Sequence, residues 1–184
     1  MPVESYFPPR HPLLVELDER AAADGVSVIS SETGRFLATI VTAMQANRIL
    51  EVGTSYGAAT LWMALAQPRV GRIWTVDPDA TKTAVARSFF ERAAEDDYIE
   101  VFNTPPFELL ENFPQRNLDI AFVSADTRDY DRYLELILPM LKLSGLAIFD
   151  RCLARPDFTE RFLAHPALVA TLLPLDLGIA ARRQ

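Results

Sequence analysis

The chain is short of several residue types, and each shortage removes a class of function. Of its 184 residues one is cysteine, Cys152. Within a single chain that excludes a disulfide framework and a cysteine-based zinc site. The two histidines, His11 and His165, each precede proline in expected loops. They offer little to a histidine metal site or a Ser-His-Asp triad and are read as structural. Lysine occurs only at positions 82 and 142, which is read as a compositional bias of the source and not as function. Acids outnumber bases, 25 to 18, giving a net charge of −7. That is the wrong sign for wrapping nucleic acid, so no such partner is expected. No stretch approaches the roughly 18–20 apolar residues of a membrane span. The opening Met1-Pro2-Val3-Glu4-Ser5 has no basic or apolar leader pattern. A cytoplasmic, reduced protein with no membrane partner is the expectation. Hydrophobic residues make up 49% and charged residues 23%, which fits one domain over residues 1–184 with a sizeable core. Residues 1–28 form its arm and first helix.

What is present centres on Ile49-Leu50-Glu51-Val52-Gly53-Thr54-Ser55-Tyr56-Gly57. An apolar run ends in an acid, G-x-x-x-G follows, and an apolar helical stretch begins at Ala58. This reads as strand, tight turn and helix. Glycines 53 and 57 allow a sharp turn and close approach to a ligand, and the helix start offers unpaired N–H groups to an anion. Asp77 closes the next apolar run, Ile73-Trp74-Thr75-Val76. An acid at the end of the second strand of a βαβ unit is placed to bind ribose hydroxyls.

Along the chain, residues 1–12 read as a proline-rich arm and Leu13–Ala23 as a helix. Ser30 caps an amphipathic helix through Met44, with Gly34 in its first turn. Strands are expected at 48–53, 72–77, 98–102, 117–123 and 146–149. Helices are expected at 58–67, 80–94, 130–143 and 158–164, with Pro139 kinking or stopping the third of these and Ser144-Gly145 turning it into strand five. Val169–Leu175 and Leu177–Arg182 form a closing antiparallel pair around Asp176. Continuous apolar strands separated by helices argue for an α/β parallel sheet covered on both faces. Ligands bind beyond the carboxyl ends of such strands, which selects 51–57, 77–79, 103–106, 124–127 and 150–151.

The turn lacks the Gly-x-Gly of nicotinamide and flavin folds and the Gly-Lys-Ser/Thr of a P-loop. An acid two before the first glycine, G-x-x-x-G, and the acid ending strand two fit S-adenosylmethionine, whose methionine end has no pyrophosphate to cradle. With these residues in view, the chain resembles the small-molecule O-methyltransferases of the catechol and caffeoyl-CoA type from about Ile29 to Arg182. The stretches that carry the likeness are 28–37, 48–54, 121–126, 143–150 and 172–178.

The resemblance implies a three-layer α/β/α Rossmann-like methyltransferase fold, with a mostly parallel seven-stranded sheet ending in the antiparallel pair. It implies that Ile29, Glu51, Gly53, Thr54, Ser55, Gly57, Asp77, Pro78, Thr104, Pro105 and Ser124 line the cofactor. Asp77 would hold the ribose, Thr104-Pro105 would sit beside the adenine, and Gly34 would approach the cofactor closely. It also implies a homodimer acting on a small-molecule acceptor.

The family's divalent metal is held by an Asp ending strand four and an Asp-Asn pair ending strand five. Here these positions are Ser124 and Asp150-Arg151. One carboxylate beside a fixed cation is a poor site for a hard dication, so no metal is expected. The base position of the catechol-type relatives is Thr127, the serine after the turn is Ala59, and the segment after Asp150 is short. Two readings follow. In one, Arg151 does the metal's electrostatic work or pairs with Asp150, Asp150 or Asp126 is the base, and a hydroxylated catechol- or phenol-like acceptor is methylated. In the other, catalysis is lost and a cofactor-binding or oligomeric interaction protein remains.

Overall fold

The computed structural model describes residues 6–183; residues 1–5 of the expected arm lie outside it. Helix α1, Pro12–Ala23, starts on a proline at its first position, and His11 Nδ1 accepts the Leu13 N–H at 3.3 Å. Helix α2, Ser31–Met44, is capped by Ser30 Oγ, which accepts the Thr33 N–H at 3.1 Å. Both helices bury apolar residues at helical spacing, Leu14, Leu17 and Ala21 on α1, Leu37 and Val41 on α2. Strand and helix then alternate: β1 Arg48–Val52, α3 Ala58–Ala64, β2 Arg72–Val76, α4 Ala80–Arg92, β3 Ile99–Phe102, α5 Pro106–Asn112, β4 Leu118–Val123, α6 Tyr130–Ile137, β5 Leu141–Phe149, α7 Pro156–Leu163, β6 Leu168–Leu173 and β7 Leu177–Arg182.

The seven strands form one sheet in the order β3-β2-β1-β4-β5-β7-β6. The first five run parallel, and β7 inserts antiparallel between β5 and β6. This is the expected mostly parallel sheet with its antiparallel pair. Helices cover both faces, giving two cores. Alternation along β1 sends Ile49 to the core under α1–α4 and Leu50 and Val52 to the core under α5–α7. On the second face Tyr130, Phe149, Phe158 and Phe162 meet edge-on, tilted or stacked, with ring centroids 4.9–5.5 Å apart. No helix among the described residues is long and apolar enough to cross a membrane.

Three elements differ from the sequence reading. Helix α5 was not expected; Pro106 starts it, and seven residues with one buried apolar position give too weak a period to read. Pro139 acts as an early stop: α6 ends at Ile137, a 3₁₀ turn follows over Leu138–Met140, and β5 begins at Leu141. Ser144 and Gly145 therefore lie inside β5. There the register shifts, Leu118 pairing with Leu141 but Ile120 with Leu146, and Ser144 takes a φ of +63°. The remaining differences are one to three residues at element ends.

β1 and β4 are neighbours whose chains depart in opposite directions along the sheet, β1 toward β2 and β4 toward β5. Their carboxyl ends make the crevice where an open α/β sheet binds ligands.

Candidate functional site

A cavity of about 660 Å³ opens at that crevice, within the size range of small-molecule and cofactor sites. Its wall includes Ile29, Gly53, Thr54, Ser55, Asp77, Pro78 and Ser124 of the expected cofactor set, and Asp126, Asp150 and Arg151 of the expected catalytic set. Glu51, Gly57, Thr104 and Pro105 are not in the wall.

Gly53 has a φ of +100°, and a Cβ there would lie 2.3 Å from the Ser124 carbonyl oxygen. Only glycine lets the β1 turn pass so close to the end of β4. Gly57, at φ +84°, closes the turn with its N–H on Thr54 O at 2.8 Å. A Cβ on Gly57 would strike the Phe90 ring at 2.6 Å, so this glycine makes room for α4. At Gly34 a Cβ would meet the Trp62 indole at 2.2 Å, so the close approach there is to α3. Asp77 Oδ2 accepts the Ser55 N–H at 2.8 Å and Oδ1 the Asp79 N–H at 2.9 Å. The carboxylate is thereby locked against the turn while remaining in the cavity wall.

Glu51 lies one layer below. It is fully buried, and Oε2 accepts the Thr60 and Thr75 hydroxyls, the latter at 2.5 Å. Thr75 is in turn 2.6 Å from the Thr54 hydroxyl. Oε1 has no hydrogen-bond partner among the described residues. Burial pushes its carboxyl up to about 7 against the opposing pull of the two threonines. Thr104 and Pro105 precede α5, and the next residue, Pro106, is the one that reaches the wall. Tyr56 packs, its hydroxyl on Asp24 Oδ2 at 2.8 Å.

On the other side of the cavity Ser124 Oγ donates to Asp150 Oδ2 at 3.0 Å, and Arg151 Nε is 3.6 Å from the same oxygen. The Arg151 Nη2 donates to Ala125 O at 2.8 Å. Burial raises the proton affinity of Asp150, opposed by Ser124 and Arg151. Asp126 is a different kind of acid: it caps the following 3₁₀ turn through the Arg128 N–H at 3.0 Å and grips the Arg128 guanidinium. That guanidinium pulls it down to about 2. Tyr133, stacked on Phe107 at 4.8 Å, joins the wall with its phenol pushed up to about 12 by burial. Cys152 is buried, donates to Phe149 O at 3.4 Å, and burial pushes its thiol up to about 11, so it is inert at neutral pH. His165 Nδ1 accepts the Ala167 N–H at 3.2 Å, a structural role like that of His11.

Several wall residues were not read from the sequence. Ser27, Val28, Ser30 and Thr33 come from the α1–α2 connection and the start of α2, Lys82 from α4, and Leu175 and Asp176 from the β6–β7 turn. Val28, Ser30, Thr33, Leu175 and Asp176 fall within the stretches 28–37 and 172–178 singled out in the sequence, whereas Ser27 and Lys82 carry no such signal.

Among the described residues no group of three or more His, Cys, Asp or Glu is placed to hold a metal ion. The donors at the ends of β4 and β5 are a hydroxyl and one carboxylate, with a guanidinium against that carboxylate. Such a set does not fit a hard dication.

The sequence pattern of the O-methyltransferase family matches residues 4–172. The chain belongs to the O-methyltransferase family. It is 35% identical over 158 residues to the caffeoyl-CoA O-methyltransferase of Populus kitakamiensis, covering 81% of this chain and 67% of that one. It is 28% identical over 172 residues to the catechol O-methyltransferase of Mycobacterium tuberculosis, covering 83% and 78%. The O-methyltransferase from Bacillus cereus, solved in complex with SAH, superposes with a TM-score of 0.87 at 25% identity, covering 98% and 95%. Membership makes this a methyltransferase enzyme of the Rossmann-like kind, with its cavity at the switch point of the O-methyltransferase sheet.

Proposed function

We propose that this O-methyltransferase moves a methyl group from S-adenosylmethionine to a hydroxyl of a small catechol- or phenol-like acceptor, without a divalent metal. The observation that carries the reading is the Ser124–Asp150–Arg151 group facing the same cavity as Asp77 and the Gly53 turn. The cavity size, the Asp77 carboxylate in its wall and the glycine turn at Gly53 fit the cofactor. Asp77 would take the ribose hydroxyls. Gly53, Thr54 and Ser55 would follow the methionine end, Ile29, Pro78 and Pro106 would cover the flat parts, and the backbone after Ser124 would flank the sulfur. Bound there, the cofactor supplies a methyl group activated by a sulfonium.

Asp150 then takes the acceptor's hydroxyl proton, a role its raised proton affinity favours. Arg151 supports the oxygen anion with N–H donors not used on Ala125. Holding oxygen and methyl in line contributes much of the rate, which is why a fixed cation suffices. Asp126, already held by Arg128, is the weaker base. The reading extends to a single-domain, cytoplasmic homodimer; light scattering tests the dimer.

Calorimetry with S-adenosylmethionine and turnover of a catechol panel with magnesium or with EDTA test the whole. Binding with turnover equal in magnesium and EDTA is the expected result. Loss of turnover in EDTA would refute metal independence, and binding without turnover would favour a non-catalytic cofactor-binding protein.

A further inference from the structure

Two loops at the ends of adjacent parallel strands frame the acceptor side of the cavity: residues 124–129 after β4 and 150–155 after β5. The first loop has little support of its own. Beyond the Ser124 N–H on Val52 O at 2.9 Å at its start, it is held from within by short-range bonds, the Asp129 N–H on Asp126 O at 3.2 Å and the cap and guanidinium grip between Asp126 and Arg128. Yet it carries Ser124, Ala125 and Asp126 of the cavity wall. Four side-chain bonds cross to it and to the start of α6 from the second loop. Ser124 Oγ donates to Asp150 Oδ2 at 3.0 Å, and the Tyr130 hydroxyl donates to Asp150 O at 2.6 Å. Arg151 Nη2 donates to Ala125 O at 2.8 Å, and Arg155 Nη1 donates to Thr127 O at 2.9 Å.

Arg155 is outside the cavity wall, yet it is the outermost of these ties. Its other guanidinium nitrogen lies 3.8 Å from Asp131, which Arg161 of α7 also grips at 2.8 and 3.0 Å. The fork thus reaches one backbone carbonyl of the loop and one carboxylate of α6 together. A planar guanidinium can do this and an ammonium cannot. Arg151 itself sits at φ +53°, a conformation that costs a non-glycine residue energy and persists where its surroundings hold it. Arg155 is held immediately downstream, with its N–H on Cys152 O at 3.0 Å.

We propose that Arg155 is a positioning residue for methyl transfer: it clamps the 124–129 loop to the 150–155 loop and so sets where the acceptor meets Asp150 and Arg151. The role rests on the methyl-transfer reading above.

The test compares Arg155→Met and Arg155→Lys with wild type by hydrogen–deuterium exchange of the whole chain and by acceptor kinetics. Arg155→Met is expected to raise exchange in residues 124–130 about tenfold, the scale of one charge-assisted hydrogen bond. It is expected to raise acceptor KM by a similar factor while cofactor affinity and melting temperature stay near wild type. Arg155→Lys keeps one of the two partners and recovers part of both effects. Wild-type exchange in 124–130 overturns the proposal, as does loosening spread equally through α7 and β6, which marks ordinary fold stabilisation. If wild-type enzyme methylates no acceptor, the functional reading fails, and the exchange pattern alone decides the clamp.

Discussion

Asp150 receives the Ser124 hydroxyl on Oδ2 at 3.0 Å and has Arg151 Nε 3.6 Å from the same oxygen. The carboxylate is therefore steered from two sides while burial works to protonate it. Asp150→Asn should lower turnover by roughly 10²–10⁴, the usual yield of a positioned base, with cofactor binding retained in calorimetry. Ser124→Ala removes one bond and should cost far less. Because the free acid's pKa is raised above its ordinary value, kcat/KM should fall as pH drops through that raised value. A wild-type profile flat down to the ordinary aspartate range would remove Asp150 from this role.

Arg151 stands where a neutral oxygen ligand would be needed for a metal. The double variant Ser124→Asp with Arg151→Asn adds a carboxylate and an amide around Asp150 and removes the fixed cation. Its turnover should become dependent on added magnesium and sensitive to EDTA. Wild-type turnover should respond to neither. Magnesium titration of both proteins checks the pair of expectations, and a magnesium-independent double variant would argue against this account of the site.

Gly53 allows no substitute. Gly53→Ala would place a Cβ 2.3 Å from Ser124 O at a φ of +100°. Strain of this kind costs about 1–3 kcal/mol, and relieving the contact by moving backbone adds to it. Urea unfolding should locate the loss. Gly25→Ala, also at positive φ but with nothing among the described residues within 4 Å of the added Cβ, isolates the conformational part.

Glu51 makes stability depend on pH. Its carboxyl is pushed up to about 7 in the folded chain from an ordinary 4.5. Below pH 4.5 both folded and unfolded states hold the proton. As pH rises through the window to about 7, the unfolded chain releases it first, so stability is lost across that range, by about 3 kcal/mol at most. Glu51→Gln has no proton to release. The wild-type-minus-variant difference in unfolding free energy should slope downward between pH 4.5 and 7 and level off above. A constant difference would mean that Glu51 is ionised throughout.

The strands were legible because β1, β2, β4 and the second half of β5 are largely buried apolar runs, and such runs bear their pattern openly, whereas the exposed Leu143 and Ser144 hide the first half of β5. Helix α5 was not, since its seven residues bury only Leu110. The glycines divide instructively. Each marks a close approach, but the sequence does not say to what: Gly53 meets the end of β4, whereas Gly57 meets Phe90 and Gly34 meets Trp62. Glu51 was read as a wall residue because the motif places it two before Gly53, yet pleating turns it toward Thr60 beneath the turn. The Arg155–Thr127 tie joins residues far apart in the chain and left no local pattern to read.

The threonine pair under the turn has a direction. A hydroxyl owns one hydrogen, and Thr75 gives its own to Glu51 Oε2 at 2.5 Å. The 2.6 Å contact with Thr54 must then be a donation from Thr54. The Thr54 hydroxyl then has no hydrogen left, only lone pairs. Protonation of Glu51 on its unpartnered Oε1 leaves this arrangement untouched. The Thr54 hydroxyl can thus only accept any further bond, in either state of the buried acid.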